Sequence, residues 1–412
     1  MVRKLILLTF FCITIINLQC KEGGIIKVGI IHSMTGEMAI SEAPLVDSYL
    51  MAIHEINSKG GINGKKIIPV IRDGKSNPEI FASEIEKLIL EEKISFFFAC
   101  WTSSCRKRVK PVVEKYKKIL FYPVQYEGLE LSPWIIYTGA APNQQIIPAI
   151  NWLIEQNKKK FYLVGSDYVF PRVAGIIIKD IVKARQRTIV GDKYIPFGEK
   201  DLSALIQDIK RSGADIIVNT INGVDNDLFF QSLRKAGITP EDIPVMSFSV
   251  GEVEIQQFNL ENIAGDYTAW NYFSSLENEA NFKFINNFKK QYGEDRAVGD
   301  PIVSAYISIY LWAQAYSNID HENTSLIKNQ LAVQNFNSPD GSIVSVDPAT
   351  QHTWKTVYIG RAKTDGTFEV IWKSRKPIQP HPFPIYRSPK QWENILKKAD
   401  IDVNGHIDVE IR

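Results

Sequence analysis

The sequence predicts an α/β protein of two doubly wound lobes, and three observations lead there. At 412 residues the chain is too long for one small core, so two domains are the default expectation. Two successive runs of short buried strands alternate with helical patterns, each run sufficient for its own parallel sheet. After Gly265 that alternation stops and a crossing strand, two helices and a hairpin follow.

In the first run, Ile26-Lys-Val-Gly-Ile-Ile-His32 is β-rich and alternates little, as a strand buried on both faces does. Ser33-Met-Thr-Gly36 follows as a loop, then a helix over Leu45 to Asn57, then the turn cluster Lys59 to Gly64 before a strand at Lys66 to Arg72. Asn77-Pro78 starts a helix, with Asn as cap and proline in the first turn, and Phe81, Ile85, Leu88 and Ile89 share one face. Strands at Ile94–Ala99 and Lys118–Phe121 flank a helix in which Pro111 predicts a kink or a late start.

The second run has strands at Phe161–Gly165, Lys193–Pro196, Asp215–Thr220 and Pro244–Ser249, with helices near Val173–Lys183, Leu202–Ser212 and after Asn222. Beyond it come a strand at Tyr267–Tyr272, helices at Ala280–Tyr292 and Asp300–Tyr316, and a hairpin turning at Asp365-Gly366. Four prolines keep the stretch from Lys376 to Pro384 extended, and residues 385–412 form a polar tail with one short helical pattern.

The stretch from Cys100 to Gly128 organises the rest. Two adjacent strands run into Trp101-Thr-Ser103 and Tyr122-Pro-Val-Gln125, and ligands of open α/β sheets sit beyond the carboxyl ends of strands. Hydroxyls, an amide and ring faces without clustered charge describe a site that holds a small neutral molecule rather than one that reacts with it.

The ends and the charges narrow the class. Arg3 and Lys4 precede an apolar run from Leu5 to Ile16 that ends at Asn17-Leu-Gln-Cys20, the layout of a secretory signal. Residues 1–19 read as a lipoprotein-type signal peptide with Cys20 as the lipidated N-terminus, although Gln19 replaces the usual small residue. The chain is then expected at the periplasmic or extracellular face of the cell membrane, held by its lipid. Without Arg3 and Lys4, 48 − 2 = 46 basic residues face 46 acidic ones, which gives no electrostatic case for nucleic acid. Export permits a disulfide between Cys100 and Cys105, but a strand end and a helix entry favour two unlinked thiols. Two cysteines without nearby histidines fall short of metal-site spacing, and no cofactor is implied.

Several phrases carry a family resemblance. Asn57-Ser-Lys-Gly-Gly-Ile-Asn-Gly64 is similar to a phrase of the type I solute-binding proteins of ABC transporters. Cys100-Trp-Thr-Ser, Tyr122-Pro-Val-Gln-Tyr-Glu-Gly128, Ala140-Ala-Pro-Asn-Gln-Gln145, Gly165-Ser-Asp-Tyr-Val-Phe-Pro-Arg172, Ala269-Trp-Asn-Tyr-Phe273 and His352-Thr-Trp-Lys-Thr356 resemble its urea-binding branch, whose nearest relatives are cytoplasmic amide sensors. The resemblance covers roughly residues 26–384. It implies the type I periplasmic binding protein fold, with lobes of 25–141 plus 274–350 and of 142–273 plus 351–384 joined by three hinge crossovers. It also implies delivery of urea or a short amide to the permease subunits of an ABC system. By position, the ligand pocket falls on Trp101, Ser103, Tyr122, Val124, Gln125, Tyr168 and Phe170. Three places depart from the urea pattern: Ile302-Val303, Val224-Asp225, and Gly251-Glu-Val-Glu254.

Urea is planar and uncharged, with N–H donors at both ends and one carbonyl acceptor, and each polar group buried unpaired costs about 1–3 kcal/mol. Thr102 and Ser103 hydroxyls, the Gln125 carbonyl and the Tyr122 and Tyr168 hydroxyls supply partners, while Trp101 and Phe170 cover the flat faces. Ser103 is a helix cap alone or both a cap and a ligand contact. Asn222 is a turn former or a cleft residue, and Ser249 and Glu252 end a strand of the second lobe; a charged Glu252 needs a partner in a dry cleft. His32 reads as structural and Trp270 as a hinge residue.

Two rival classes share part of this pattern. An amidohydrolase needs an activated nucleophile or metal ligands, and of six histidines only His32 falls at a predicted strand end. An amide sensor, exported or cytoplasmic, shares the binding site but regulates a partner protein; the export signal argues against the cytoplasmic form.

Overall fold

The computed structural model describes residues 24–319 and 322–398, so the signal segment, Cys20 and the last part of the tail lie outside the described residues. The first sheet is wholly parallel, in the order β2-β1-β3-β4-β5. Its strands are β1 (Ile25–His32), β2 (Lys66–Asp73), β3 (Phe96–Ala99), β4 (Ile119–Tyr122) and β5 (Ile135–Tyr137). Helices α1 (Ala39–Ser58), α2 (Pro78–Glu92) and α3 (Ser103–Tyr116) connect them. Every residue of β3 and β4 is buried, which is why these strands read as unbroken apolar runs.

The second sheet follows helix α4 (Ile146–Glu155) and has seven strands in the order β14-β13-β10-β9-β8-β6-β7. Strands β6 (Lys160–Ser166), β7 (Thr188–Ile195), β8 (Ile216–Thr220), β9 (Val245–Ser247) and β10 (Tyr267–Trp270) are parallel, linked by α5 (Val169–Ala184), α6 (Ser203–Ser212), α7 (Asp225–Lys235) and the short α8 (Glu252–Ile255). The chain then returns to the first core with α9 (Glu279–Tyr292), α10 (Asp300–Ser317) and α11 (Thr324–Leu331), where Phe284, Trp312 and Leu331 pack with Phe96 and Phe98. A small ribbon of β11 (Asn335–Asn337) and β12 (Ile343–Ser345) precedes the antiparallel hairpin β13 (Tyr358–Ala362) and β14 (Phe368–Lys373), which rejoins the second sheet through β10. Helix α12 (Pro389–Lys398) docks there too, with Trp392 fully buried. The chain thus passes between one parallel and one mostly parallel sheet, both flanked by helices and each with its own core.

Three local expectations need correcting. Helix α1 begins at Ala39 and runs through Pro44; Ser41 and Glu42 make buried tertiary bonds in its opening turns, and these outweigh the proline. Helix α3 likewise runs unbroken past Pro111. Cys100 and Cys105 are joined by a disulfide, their Cα atoms 5.6 Å apart, inside the usual range of about 4.4–6.8 Å. Cys100 has φ +72°, a left-handed turn that folds the strand end back over the first turn of α3. The sequence pattern also left out β5, α4, α11 and the β11–β12 ribbon.

Candidate functional site

The carboxyl ends of β3 and β4 in the first lobe face those of β8 and β9 in the second. After β3, Cys100 turns the chain and Thr102 caps α3, its Oγ1 accepting from Cys105 N at 3.1 Å. The cap is therefore Thr102, which leaves the Ser103 side chain free for other bonds. After β4, Val124 and Gln125 are clamped by the neighbouring loop, where a Cβ on Gly139 would lie 2.0 Å from the Val124 carbonyl oxygen. Only glycine permits that approach.

Under the first-lobe loops lies a buried charged unit. The Arg106 guanidinium is sandwiched by Tyr122 and Tyr126, 5.0 and 4.4 Å from the ring centres. Its Nε donates to Glu130 and its Nη2 to Glu127, each at 2.9 Å, and its Nη1 to Ser103 Oγ at 3.0 Å. Ser103 in turn donates its hydroxyl to Glu127. Burial works to raise the Glu130 pKa, but Arg106, Lys107 and Lys110 overcome it and hold the carboxyl at about 2. Behind this unit Tyr137 and His352 stack at 4.1 Å, and burial pushes His352 down to about 4, a neutral structural ring.

The sequence-predicted residues divide by what they touch. Tyr122 is fully buried and donates its hydroxyl to the Trp101 carbonyl at 2.6 Å. Gln125 reaches across the seam, its Nε2 donating to Phe248 O at 2.9 Å, while its Oε1 is buried without a partner in the chain. Ser249, next to Phe248, also has a buried Oγ without a partner. Glu252 accepts from Ser274 N at 2.6 Å through Oε1, and its buried Oε2 has no partner. Burial pushes the Glu252 carboxyl up to about 8, so it is neutral at pH 7.

Tyr168 caps α5 by position and leans on Phe170 and Phe197, with ring centres 6.3 and 5.4 Å away. Burial raises its phenol well above the ordinary range. Thr102, Ser104, Ser76 and Met38 enclose with Tyr168 and Phe197 a cavity of about 230 Å³ between the lobes. Deeper in the seam, Trp101, Glu252, Glu254, Trp270 and Asp300 line a chamber of about 10 Å³, room for about one water-sized group. Val124 and Phe170 are buried and line neither cavity.

Asn222 stands apart. Its Nδ2 donates to Thr220 O at 3.1 Å, and it lines an adjoining cavity of about 90 Å³ with Met38, Phe197 and Val224. Of the three departures from the urea pattern, Ile302 and Val253 reach the deep chamber, whereas Val224 is 47% exposed.

The sequence missed Arg106, Glu127, Glu130 and Ser41, and it named Glu254 only as part of a departure from the urea pattern. Glu127 lay inside a motif already singled out, and Arg106 three residues beyond Ser103 could share its helical face; those were the available signals. No group of three or more His, Cys, Asp or Glu suited to a metal occurs among the described residues. Nor is any described helix long and apolar enough to cross a membrane.

A family model described as periplasmic binding protein domain matches residues 26–389. Leu/Ile/Val-binding protein homolog 7 of Brucella suis is 22% identical over 329 residues, covering 74% of this chain and 80% of that protein. Limonene hydroxylase of Geobacillus stearothermophilus is 32% identical over 119 residues, 29% of this chain, and the match spans only 22% of that protein's length. Among solved structures, an ABC transporter solute-binding protein of R. palustris in complex with 4-hydroxybenzoate superposes with a TM-score of 0.76 at 23% identity, covering 86% of this chain and 98% of that one.

Proposed function

The chain belongs to the periplasmic binding protein family, and from that premise we propose that it captures urea or a short amide for an ABC uptake system. It is a solute-binding protein and not an enzyme. Two lobes, 25–141 with 274–350 and 142–273 with 351–384, close on the ligand, and the closed form is what the permease receives. Cys20 anchors the mature protein to the membrane by its lipid.

The observation that carries the choice of ligand is where the donors of the first-lobe wall point. The Ser103 hydroxyl donates to Glu127, the Tyr122 hydroxyl to the Trp101 carbonyl, and a Gln125 N–H to the Phe248 carbonyl. What these side chains have left is mainly lone pairs. An acceptor-rich wall suits a ligand with several N–H groups and repels a carboxylate. The Arg106 guanidinium is already shared between Glu127 and Glu130, so it is not free to receive an anionic ligand. From the second lobe, Ser249 and the neutral Glu252 supply donors for a carbonyl oxygen.

Titration calorimetry on purified residues 21–412 tests this reading. One-to-one binding of urea, with acetamide and formamide weaker and leucine and 4-hydroxybenzoate silent, is expected. Binding of leucine or 4-hydroxybenzoate with no heat from any amide refutes it.

A further inference from the structure

We propose that Glu127 and Arg106 are positioning residues that fix the hydroxyl proton of Ser103 away from the cleft, so that Ser103 meets the ligand only as an acceptor. The proposal rests on the reading that Ser103 faces the ligand.

Chemistry dictates the direction of that proton. Ser103 Oγ has two partners inside the protein, the Glu127 carboxylate and Arg106 Nη1. A guanidinium has no lone pair to accept with, and an ionised carboxylate has no proton to give. The hydroxyl proton must therefore go to Glu127, and one lone pair must receive Arg106. One lone pair remains for the cleft. Rotation of the hydroxyl cannot change this while both partners keep their charges. Arg106 is itself held by Glu130, by Glu127 and by the rings of Tyr122 and Tyr126, all buried. The unit is rigid because each member satisfies another.

The same logic shows how to invert the site. Glu127→Gln preserves shape, and its carbonyl oxygen still accepts from Arg106 Nη2. Its amide then donates to Ser103 Oγ, which receives two N–H donors and must turn its own proton into the cleft. The substitution leaves Arg106 paired with Glu130, so it removes one of two carboxylates around a single guanidinium and strands no cation. Lys107, at 3.8 Å from Glu127 and 3.7 Å from Glu130, lies nearer the surface.

The test is the ratio of urea to acetate affinity, measured by calorimetry in the wild type, Glu127→Gln, Ser103→Ala and the double variant. Glu127→Gln is expected to lower the ratio about a hundred-fold, weakening urea and strengthening acetate, since a reversed hydrogen bond discriminates strongly. In the Ser103→Ala background the same change is expected to move the ratio by less than about two-fold, because the effect passes through Ser103. An unchanged ratio in Glu127→Gln, alongside weakened urea binding in Ser103→Ala, overturns the proposal and leaves the proposed function standing. Unaltered urea affinity in Ser103→Ala shows that Ser103 does not meet the ligand and overturns the proposal, while an absence of urea binding in the wild type overturns the proposed function. If circular dichroism shows Glu127→Gln unfolded, Glu127→Asp serves instead. It keeps the charge but withdraws the carboxylate by one methylene, and a ratio equal to the wild type's then counts against the proposal.

Discussion

Ser41 at the start of α1 donates its hydroxyl to Glu254 of α8 at 2.7 Å, a buried bond between residues 213 apart in sequence that ties one lobe to the other. Glu254 also accepts from Gly251 N at 3.0 Å, so its carboxyl is held ready for Ser41. A bond made only when the lobes meet contributes to closure rather than to either lobe's fold. Ser41→Ala is therefore expected to weaken urea binding about ten-fold, the worth of one buried hydrogen bond of roughly 1–1.5 kcal/mol. The thermal midpoint without ligand should barely move, and a large fall in that midpoint with unchanged affinity would refute the latch.

The disulfide brackets Trp101, Thr102 and Ser103 between Cys100 and Cys105. A loop this short gains only about 2 kcal/mol from cross-linking in the chain-entropy view. Cys100→Ser with Cys105→Ser should therefore fold, lose a few degrees of thermal midpoint, and bind urea about ten-fold more weakly. Calorimetry on the double variant checks this; wild-type affinity would show that the bridge does not hold the ligand loop.

Glu252 gives a pH dependence with a definite sign. Burial lifts its carboxyl from an ordinary 4.5 to about 8, so the folded chain keeps a proton that the unfolded chain releases. The stability this contributes is complete below pH 4.5 and is lost as pH rises through 8. Asp266, lifted to about 7 by burial, acts in the same direction, so the comparison must be with Glu252→Gln. That variant should match the wild type in thermal midpoint at pH 5 and exceed it at pH 9, by on the order of 3 kcal/mol in stability. Parallel losses in the two proteins would contradict the assignment.

Gly139 presses against Val124, and a Cβ there would meet the Val124 carbonyl carbon at 2.1 Å. Gly139→Ala is expected to displace the Val124–Gln125 segment, costing about 1–3 kcal/mol of stability and most of the urea affinity. Denaturant unfolding and calorimetry on the same preparation separate the two losses, and an affinity equal to the wild type's would rule out that role for the segment.

Much of the fold was legible because buried parallel strands leave unbroken apolar runs, as in Phe96–Ala99 and Ile119–Tyr122, whose loops follow at once. The charged unit was not legible. Arg106 sits 21 residues from Glu127 and 24 from Glu130, and charges in a sequence read as a solvated surface until the fold brings them together. Helix α1 hid its start behind Pro44, since bonds from Ser41 and Glu42 to distant partners set that end. The Cys100–Cys105 bridge goes with a left-handed turn at Cys100, a conformation that a cysteine in the sequence does not announce. Ser103 was legible as a polar residue at a strand end, but the direction of its hydrogen bonds was not.

The most direct measurement is the affinity of the wild-type protein for urea and for acetate, two planar molecules of similar size and opposite hydrogen-bonding character. With the Ser103, Tyr122 and Gln125 donors already committed to protein acceptors, urea should bind one-to-one and acetate at least about a hundred-fold more weakly. Acetate binding as tightly as urea would contradict the account, because it would require a donor-rich wall where Ser103, Tyr122 and Gln125 present acceptors.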